Sequence, residues 1–167
     1  MTPVDAGRST ATDPAPASVG AGNGDVVVGV DLSPASRAAL TWAAEHARAT
    51  GSRLIALHVA SVGAPPLVPG PGSPLVAYPL RAADGKRQQE ELQELFASVS
   101  PEPGWTLDHD EGPVGPVLVG RAGAARLLVV GTREHTGIGR VLDGSISHYC
   151  LSHATCPVVA VPAGTRS

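Results

Sequence analysis

The stretch that decides the fold is residues 127–161, LLVVGTREHTGIGRVLDGSISHYCLSHATCPVVAV. It begins with an apolar run typical of a buried strand and continues into a glycine-rich loop that ends at Gly144 and Ser145. A short helical segment and a second apolar run, residues 157–161, complete it. A glycine loop between a strand and a helix brings backbone N–H groups and a helix N-terminus to one point. The stretch therefore predicts an anion site.

The preceding sequence repeats the alternation of strand and helix. Residues 25–31 (DVVVGVD) read as a buried strand. Ser33 and Pro34 then supply an N-cap and the proline tolerated at the first helical position, and Gly51 stands where a glycine would end that helix. Residues 53–59 (RLIALHV) predict a second strand, too apolar to be half-solvated and therefore central in a sheet.

The middle of the chain is less regular. Residues 60–79 are rich in proline and glycine, which predicts a long loop or lid. Apolar residues at helical spacing predict an amphipathic helix over residues 92–99, whose start is left open because Asp84 and Gly85 would either cap or break it. The remaining predicted elements are a strand at 105–110, a short helix at 116–123 and a strand at 126–131.

This alternation implies right-handed crossovers and a parallel sheet. The predicted fold class is α/β with five mainly parallel strands. The last strand begins with Pro157, which suits an edge position. We expect residues 1–24 to be a disordered leader, residues 25–163 to be the domain and residues 164–167 to be a tail.

Composition narrows the function classes. Aromatic residues make up 3% of the 167 residues and apolar residues 43%, so the core must be aliphatic. The net charge is −3 and the basic residues are scattered, which argues against a nucleic-acid partner. No apolar run approaches the ~20 residues of a membrane span, and no signal peptide is evident. We expect a cytoplasmic protein that has no membrane partner, with Cys150 and Cys156 reduced.

Three segments together resemble the universal stress protein family: VVVGVDLSPASRAAL near the start, RLIALHVA, and the C-terminal stretch quoted above. The resemblance covers residues 26–162. Nucleotide-binding members show Gly, two residues, Gly, nine residues, Gly and then Ser or Thr. In that register this chain has Gly131, Glu134, Gly144 and Ser145, so the second glycine is replaced by a carboxylate.

The resemblance implies a three-layer, Rossmann-like sheet of the adenine-nucleotide α-hydrolase type, with helices on both faces. It implies an ATP-type nucleotide, with Mg²⁺ as a companion ion, at the carboxyl ends of the first, second and fourth strands. The binding residues it implies are Gly29, Val30 and Asp31 beside base and ribose, Val59 against the base, Gly131, Thr132 and Arg133 along the phosphates, and Gly144, Ser145 and Ile146 closing over them.

The same resemblance implies a stress-response module that acts through an unknown regulatory protein and not as an enzyme. It further implies a homodimer formed through the C-terminal strand, since an apolar edge strand needs cover.

The residues support part of this reading without the family. Gly131 and Gly144 let the backbone approach a bulky anion, Ser145 adds a hydroxyl donor, and Arg133 and Arg140 offer positive charge. Asp31 has two open roles, since it can accept from a ribose hydroxyl or cap the helix that follows.

Glu134 weakens the predicted site. A carboxylate ~5 Å from a phosphate charge costs about 3 kcal/mol at an effective dielectric near 20. The alternative is a member that binds no nucleotide and serves as a structural dimerisation module.

Histidine and cysteine residues offer weaker alternatives. His148, Cys150, His153 and Cys156 carry metal-ligand chemistry, but residues 148 and 150 of a helix point about 200° apart and do not converge. We expect no metal there. His58 is expected to be a satisfied polar residue at a strand end, and His109 a solvated one. No nucleophile stands at a fixed spacing from a general base, so no catalytic residue is assigned.

Overall fold

The computed structural model describes residues 20–61, 82–132 and 146–163. The elements in chain order are β1 (Val26–Gly29), α1 (Pro34–Thr50), β2 (Leu54–Ala60), α2 (Ala82–Ala97), β3 (Thr106–Glu111), α3 (Val114–Arg121), β4 (Leu127–Thr132), α4 (Ile146–His153) and β5 (Val158–Pro162). Most of the predicted lid, the predicted tail and residues 1–19 of the predicted leader lie outside the described residues.

The strands form one parallel sheet in the order β3-β2-β1-β4-β5. The predicted α/β class, the five parallel strands, the inner position of β2 and the edge position of β5 are confirmed. The order reverses beside β1, because β2 lies on one side of it and β4 on the other. This is the point at which open α/β sheets form a crevice at the carboxyl ends of their strands.

Two aliphatic clusters lie on opposite faces of the sheet, which gives the three layers. On one face Ala39 and Leu40 of α1 and Leu92 of α2 pack against alternate strand residues. On the other face Leu118 of α3 and Cys150 of α4 pack against the intervening strand residues. Each fully buried leucine or valine contributes about 1.5–3 kcal/mol relative to an exposed side chain.

Local signals set the ends of α1 as predicted. Ser33 is the N-cap, and its hydroxyl accepts from the Ser36 N–H at 3.2 Å. Pro34 occupies the first turn, where its missing N–H costs nothing. Gly51 ends the helix with φ of 62°, a left-handed conformation that glycine adopts without strain.

The bounds of β1 and α3 differ from the predicted ones, and the start of α2, which the sequence left open, is now fixed. β1 stops at Gly29 and does not reach Asp31, because the chain there turns into α1. α2 begins at Ala82 and runs through Asp84 and Gly85, so neither residue breaks it. α3 covers residues 114–121, two residues earlier than predicted.

The described residues before β1 pack onto the domain. Ala21 is buried, and its N–H donates to the Arg121 carbonyl at 3.3 Å. The Gly22 N–H donates to the Asp25 carboxylate at 2.7 Å. Packing against the core therefore begins a few residues before Asp25.

Candidate functional site

A cavity of about 260 Å³ opens at the carboxyl ends of β1, β2 and β4. Its lining residues come from these strands, from the first turns of α1 and α4 and from one side of α3. They are Gly29, Val30, Asp31, Ser33, Ala35, Ser36, Leu57, Val59, Val114, Leu118, Val130, Gly131, Ile146 and Ser147. Its apolar interior and few polar groups resemble those of small-molecule pockets.

The apolar interior has a simple origin in strand alternation. Leu57 and Val59 point to the same face of β2, and both meet Leu118 in the cluster beneath the cavity. Gly29 gives this interior its width, because a Cβ there would lie 3.1 Å from a Leu118 methyl group.

The polar rim is held by a small hydrogen-bond network between β1 and α1. The Asp31 N–H donates to the Ser36 hydroxyl at 2.8 Å. The Ser33 N–H donates to the Asp31 carboxylate, also at 2.8 Å. Asp31 therefore organises the turn, while Ser33 caps the helix, and the capping role left open for Asp31 is not the one it plays. The Asp31 side chain remains exposed at the cavity mouth.

Two helix N-termini meet at this cavity. Ser33, Ala35 and Ser36 bring the start of α1 to it, and Ile146 and Ser147 bring the start of α4. A helix N-terminus carries roughly +0.5 elementary charge. The arrangement suits an anionic group placed between the two helix starts.

Gly131 of β4 lies directly beneath the first turn of α1. A Cβ at this position would stand 2.6 Å from the Ala35 carbonyl carbon and oxygen and 2.9 Å from the Ser36 nitrogen. Close packing of backbone on backbone therefore demands glycine here, before any ligand is considered. This adds a structural role to the ligand-approach role that the sequence predicted.

Six of the predicted binding residues line the cavity: Gly29, Val30, Asp31, Val59, Gly131 and Ile146. Thr132 ends β4 and is not among the lining residues. Arg133, Gly144 and Ser145 lie outside the described residues, as do Glu134 and Arg140, so their predicted roles stay predictions.

Sequence reasoning missed the wall formed by α1 and α3. Ser33 and Ser36 were available as cap signals, and a helix that starts just after a strand must lie at that strand's carboxyl end. Val114 and Leu118 gave no such signal, because a short helix weakened by glycine does not reveal which of its sides faces the sheet.

His58 does not line the cavity. It is buried at 8% exposure in β2, on the face opposite Val59. Burial, followed by repulsion from His109, lowers the pKa of the His58 imidazole. His109 is exposed in β3, as expected for a solvated residue.

The part of the chain that is described contains no group of three or more histidine, cysteine or acidic residues able to hold a metal ion. Cys150 is fully buried, and burial raises the pKa of its thiol to about 11. Cys156 is half-buried, and burial raises its thiol pKa as well. Among the described helices, none has the length and apolar character needed to cross a bilayer.

The parallel sheet and its crevice define an α/β protein with a ligand cavity at the strand ends, and comparison with known proteins gives the family. A profile of the universal stress protein family matches residues 22–162. The chain belongs to the universal stress protein family.

Individual relatives of this chain are named as members of the same family. A universal stress protein of Mycolicibacterium smegmatis is 33% identical over 141 residues, which cover 81% of this chain and 47% of that protein. A universal stress protein of Mycobacterium tuberculosis is 31% identical over 143 residues, 80% of this chain and 44% of that protein. The chain spans about half the length of these curated relatives.

Solved structures share the fold. The universal stress protein of Lactobacillus plantarum superposes with a TM-score of 0.60 at 26% identity, covering 84% of this chain and 99% of that one. A universal stress protein solved in complex with cAMP gives a TM-score of 0.58 at 21% identity, with coverages of 84% and 97%. An Arabidopsis thaliana member with AMP bound gives 0.52 at 22% identity, with coverages of 84% and 93%.

Proposed function

We propose that this protein binds an adenine nucleotide in the cavity between β1, β2 and β4 and works as a nucleotide-responsive regulatory module. The observation that carries the proposal is the meeting of two helix N-termini over an apolar cavity at the point where the strand order reverses. Such a crevice is where open α/β sheets bind ligands. Family members solved with cAMP and with AMP support the choice of an adenine nucleotide.

The cavity divides into an apolar part and a polar part, as a nucleotide does. The base fits against Val59 and Leu57, with Leu118 opposite, because these side chains form the apolar interior. The ribose then falls near Asp31, whose exposed carboxylate can accept from a hydroxyl. Phosphates extend toward Gly131 and the starts of α1 and α4, where the helix dipoles favour negative charge.

The size of the cavity is consistent with this division. Its volume of about 260 Å³ is just below the roughly 300–1,000 Å³ typical of small-molecule sites. That space suits the nucleoside part, with the phosphates at the open side near Gly131 and the start of α4. ATP with Mg²⁺ is the form we propose, and Arg133, Gly144 and Ser145 are the additional phosphate ligands.

Titration calorimetry on the purified protein tests binding, with ATP and Mg²⁺, AMP and cAMP in separate runs. Glu134→Gln removes the carboxylate and keeps the side chain, whereas Glu134→Gly also restores backbone freedom. We expect Glu134→Gly to bind ATP at least tenfold more tightly than the parent, since a repulsion of about 3 kcal/mol is relieved in part. If parent and variants all fail to bind millimolar nucleotide, the proposal is wrong and the structural dimerisation alternative takes its place.

We propose binding without turnover, as the resemblance to the universal stress protein family implies. Stoichiometric ATP incubated with the protein should remain intact when followed by chromatography over hours. Conversion of that ATP to ADP or release of pyrophosphate within minutes would contradict the regulatory proposal and indicate an enzyme.

We also propose a homodimer formed through β5. This strand pairs with β4 on one side only, and Val158, Val159, Ala160 and Val161 are all half-buried. The Leu128 N–H donates to the Pro157 carbonyl, so the alternation of a parallel ladder leaves the Ala160 N–H at the free edge. Edge backbone groups of this kind pair readily with a second chain.

Ala160→Pro tests the dimer, because proline is tolerated at an edge position whose N–H faces away from the sheet. Light scattering should give twice the chain mass for the parent protein and the monomer mass for the variant. A monomer mass for the parent at micromolar concentration would exclude this dimer. The acidic surface of α2 provides a control in Glu94→Gln, which should leave the mass unchanged.

A further inference from the structure

A pair of histidines lies on the face of the sheet opposite the cavity interior. His58 of β2 and His109 of β3 are direct partners in the parallel register. Residues at the same parity on β2, such as Leu54 and Ala56, belong to the cluster beneath α1 and α2. The two imidazoles therefore project to that face, side by side, at the outer edge of the sheet.

The spacing of the two rings is close to that of two imidazoles bound to one metal ion. Their centroids are 5.6 Å apart and their planes meet at 65°. With metal–nitrogen bonds of about 2.0–2.1 Å, two imidazoles on one tetrahedral ion place their ring centres about 5 Å apart. To bind one ion, one nitrogen of each ring has to point at a common position between the two rings.

The pair is reachable from solvent. His109 is exposed and β3 is the last strand on its side, so an ion can enter from solvent. The Asp31 carboxylate lies close enough to act electrostatically on His58, which adds attraction for a cation.

We propose that His58 and His109 bind one divalent transition-metal ion of the imidazole-preferring class, Cu²⁺, Ni²⁺ or Zn²⁺, with water in the remaining coordination positions. Cu²⁺ binds most tightly of these, following the general order of affinities. We expect neither Mg²⁺ nor Ca²⁺ to bind tightly here, because both ions prefer oxygen donors. The site is separate from any ion that accompanies a nucleotide and does not depend on the proposed function.

Cu²⁺ titration followed by electron paramagnetic resonance tests the site directly, on nucleotide-free protein without an affinity tag. At pH 7.5 in a non-coordinating buffer the first equivalent should show hyperfine coupling to two imidazole nitrogens. His109→Gln should lose the two-nitrogen signal and bind Cu²⁺ at least tenfold more weakly. Because His109 is exposed, this variant keeps its fold, which circular dichroism checks.

His58→Gln should likewise lose the two-nitrogen signal, because the chelate needs both rings. The double variant should bind Cu²⁺ more weakly than either single one, because it also lacks the remaining imidazole. His153→Gln is the matched control: its ring stacks on Tyr149 and lies on α4, away from the pair. It should retain the two-nitrogen signal. An unchanged signal in His109→Gln, or an equal loss in His153→Gln, would overturn the proposal.

Discussion

An aspartate lies at each end of the sheet, and the two carboxylates have different surroundings. At the amino ends of the strands, Asp25 accepts two hydrogen bonds from Arg53, at 3.0 and 2.5 Å, and one from the Gly22 N–H. At the carboxyl ends, Asp31 takes one hydrogen bond, from the Ser33 N–H, and its side chain is exposed beside the cavity. The first carboxylate is neutralised within the fold, whereas the second keeps its capacity for a ligand.

The Asp25 carboxylate contributes to the stability of the fold, whereas the Asp31 carboxylate is exposed where we propose that the ligand binds. Substitutions at the amino end should change the free energy of unfolding. Those at the cavity mouth should change ligand affinity with little effect on stability. A substitution at Gly131 should change both stability and affinity, because Gly131 lines the cavity and also lets α1 pack on β4.

The largest effect is expected from Gly131→Ala. The new Cβ would meet the Ala35 carbonyl at 2.6 Å, and backbone on both sides has to shift. Overpacking of this kind costs about 1–3 kcal/mol, and the start of α1 is displaced from the cavity. Urea denaturation should show a lower free energy of unfolding, and nucleotide binding should be lost. An unchanged midpoint with full binding would show that the contact is not tight in solution.

Asp25→Asn should give the next largest effect. The Arg53 guanidinium beside Asp25 holds the pKa of that carboxyl below its usual 3.8. The ionised carboxylate therefore stabilises the fold fully at neutral pH, and the contribution is lost as pH falls from about 4 through the lower folded pKa. We expect the variant to lose about 1–2 kcal/mol at pH 7 and to show a shallower decline of stability between pH 5 and 3.

Denaturation curves at several pH values measure this effect. The exposed pair of Arg87 and Glu91 on α2 is the control, because an exposed i, i+4 pair contributes about 0.3–0.5 kcal/mol. Equal losses of unfolding free energy in Asp25→Asn and Glu91→Gln would show that the Asp25–Arg53 pair contributes no more than an exposed pair.

Asp31→Asn should act on binding and not on stability. The asparagine oxygen can still accept from the Ser33 N–H, so the turn is kept. We expect about a tenfold loss of ATP affinity, the value of one charge-assisted hydrogen bond to a ribose hydroxyl. Calorimetry with 2′,3′-dideoxy-ATP sharpens the assignment, since the variant and the parent should bind that analogue equally. A full tenfold difference with the analogue would place Asp31 away from the ribose.

The smallest effect is expected from Gly120→Ala on α3. Nothing lies within 4 Å of the added Cβ, so the only change is the better helix propensity of alanine, worth up to about 1 kcal/mol. Thermal denaturation should show a small rise in the midpoint, in contrast to Gly131→Ala. A lower midpoint would contradict this prediction and show that alanine at position 120 destabilises α3.

Local rules made part of this molecule predictable. Ser33, Pro34 and Gly51 fix the ends of α1 through backbone chemistry that is readable in a few residues. Gly29 and Val59 were placed at the cavity by the resemblance to the universal stress protein family, and this is the same edge at which open α/β sheets bind ligands.

What escaped prediction depends on contacts between distant segments. The close approach of Ala35 to Gly131 joins residues almost a hundred positions apart, and no local pattern announces it. Leu118 reaches the cavity only because α3 lies on a particular side of the sheet. The pairing of His58 with His109 likewise follows from β3 lying next to β2, which the order of elements alone leaves open.

The Ser36 hydroxyl, which receives the Asp31 N–H, ties the first helix to the end of the first strand. Since Ser36 is also held through the Ser33 cap, this corner behaves as a rigid bracket. This wall of the cavity is therefore already in place when a ligand enters, and any closing movement has to come from the other walls. Altering selectivity by design should therefore start from the α3 wall at Val114 and Leu118, leaving the bracket as the fixed reference.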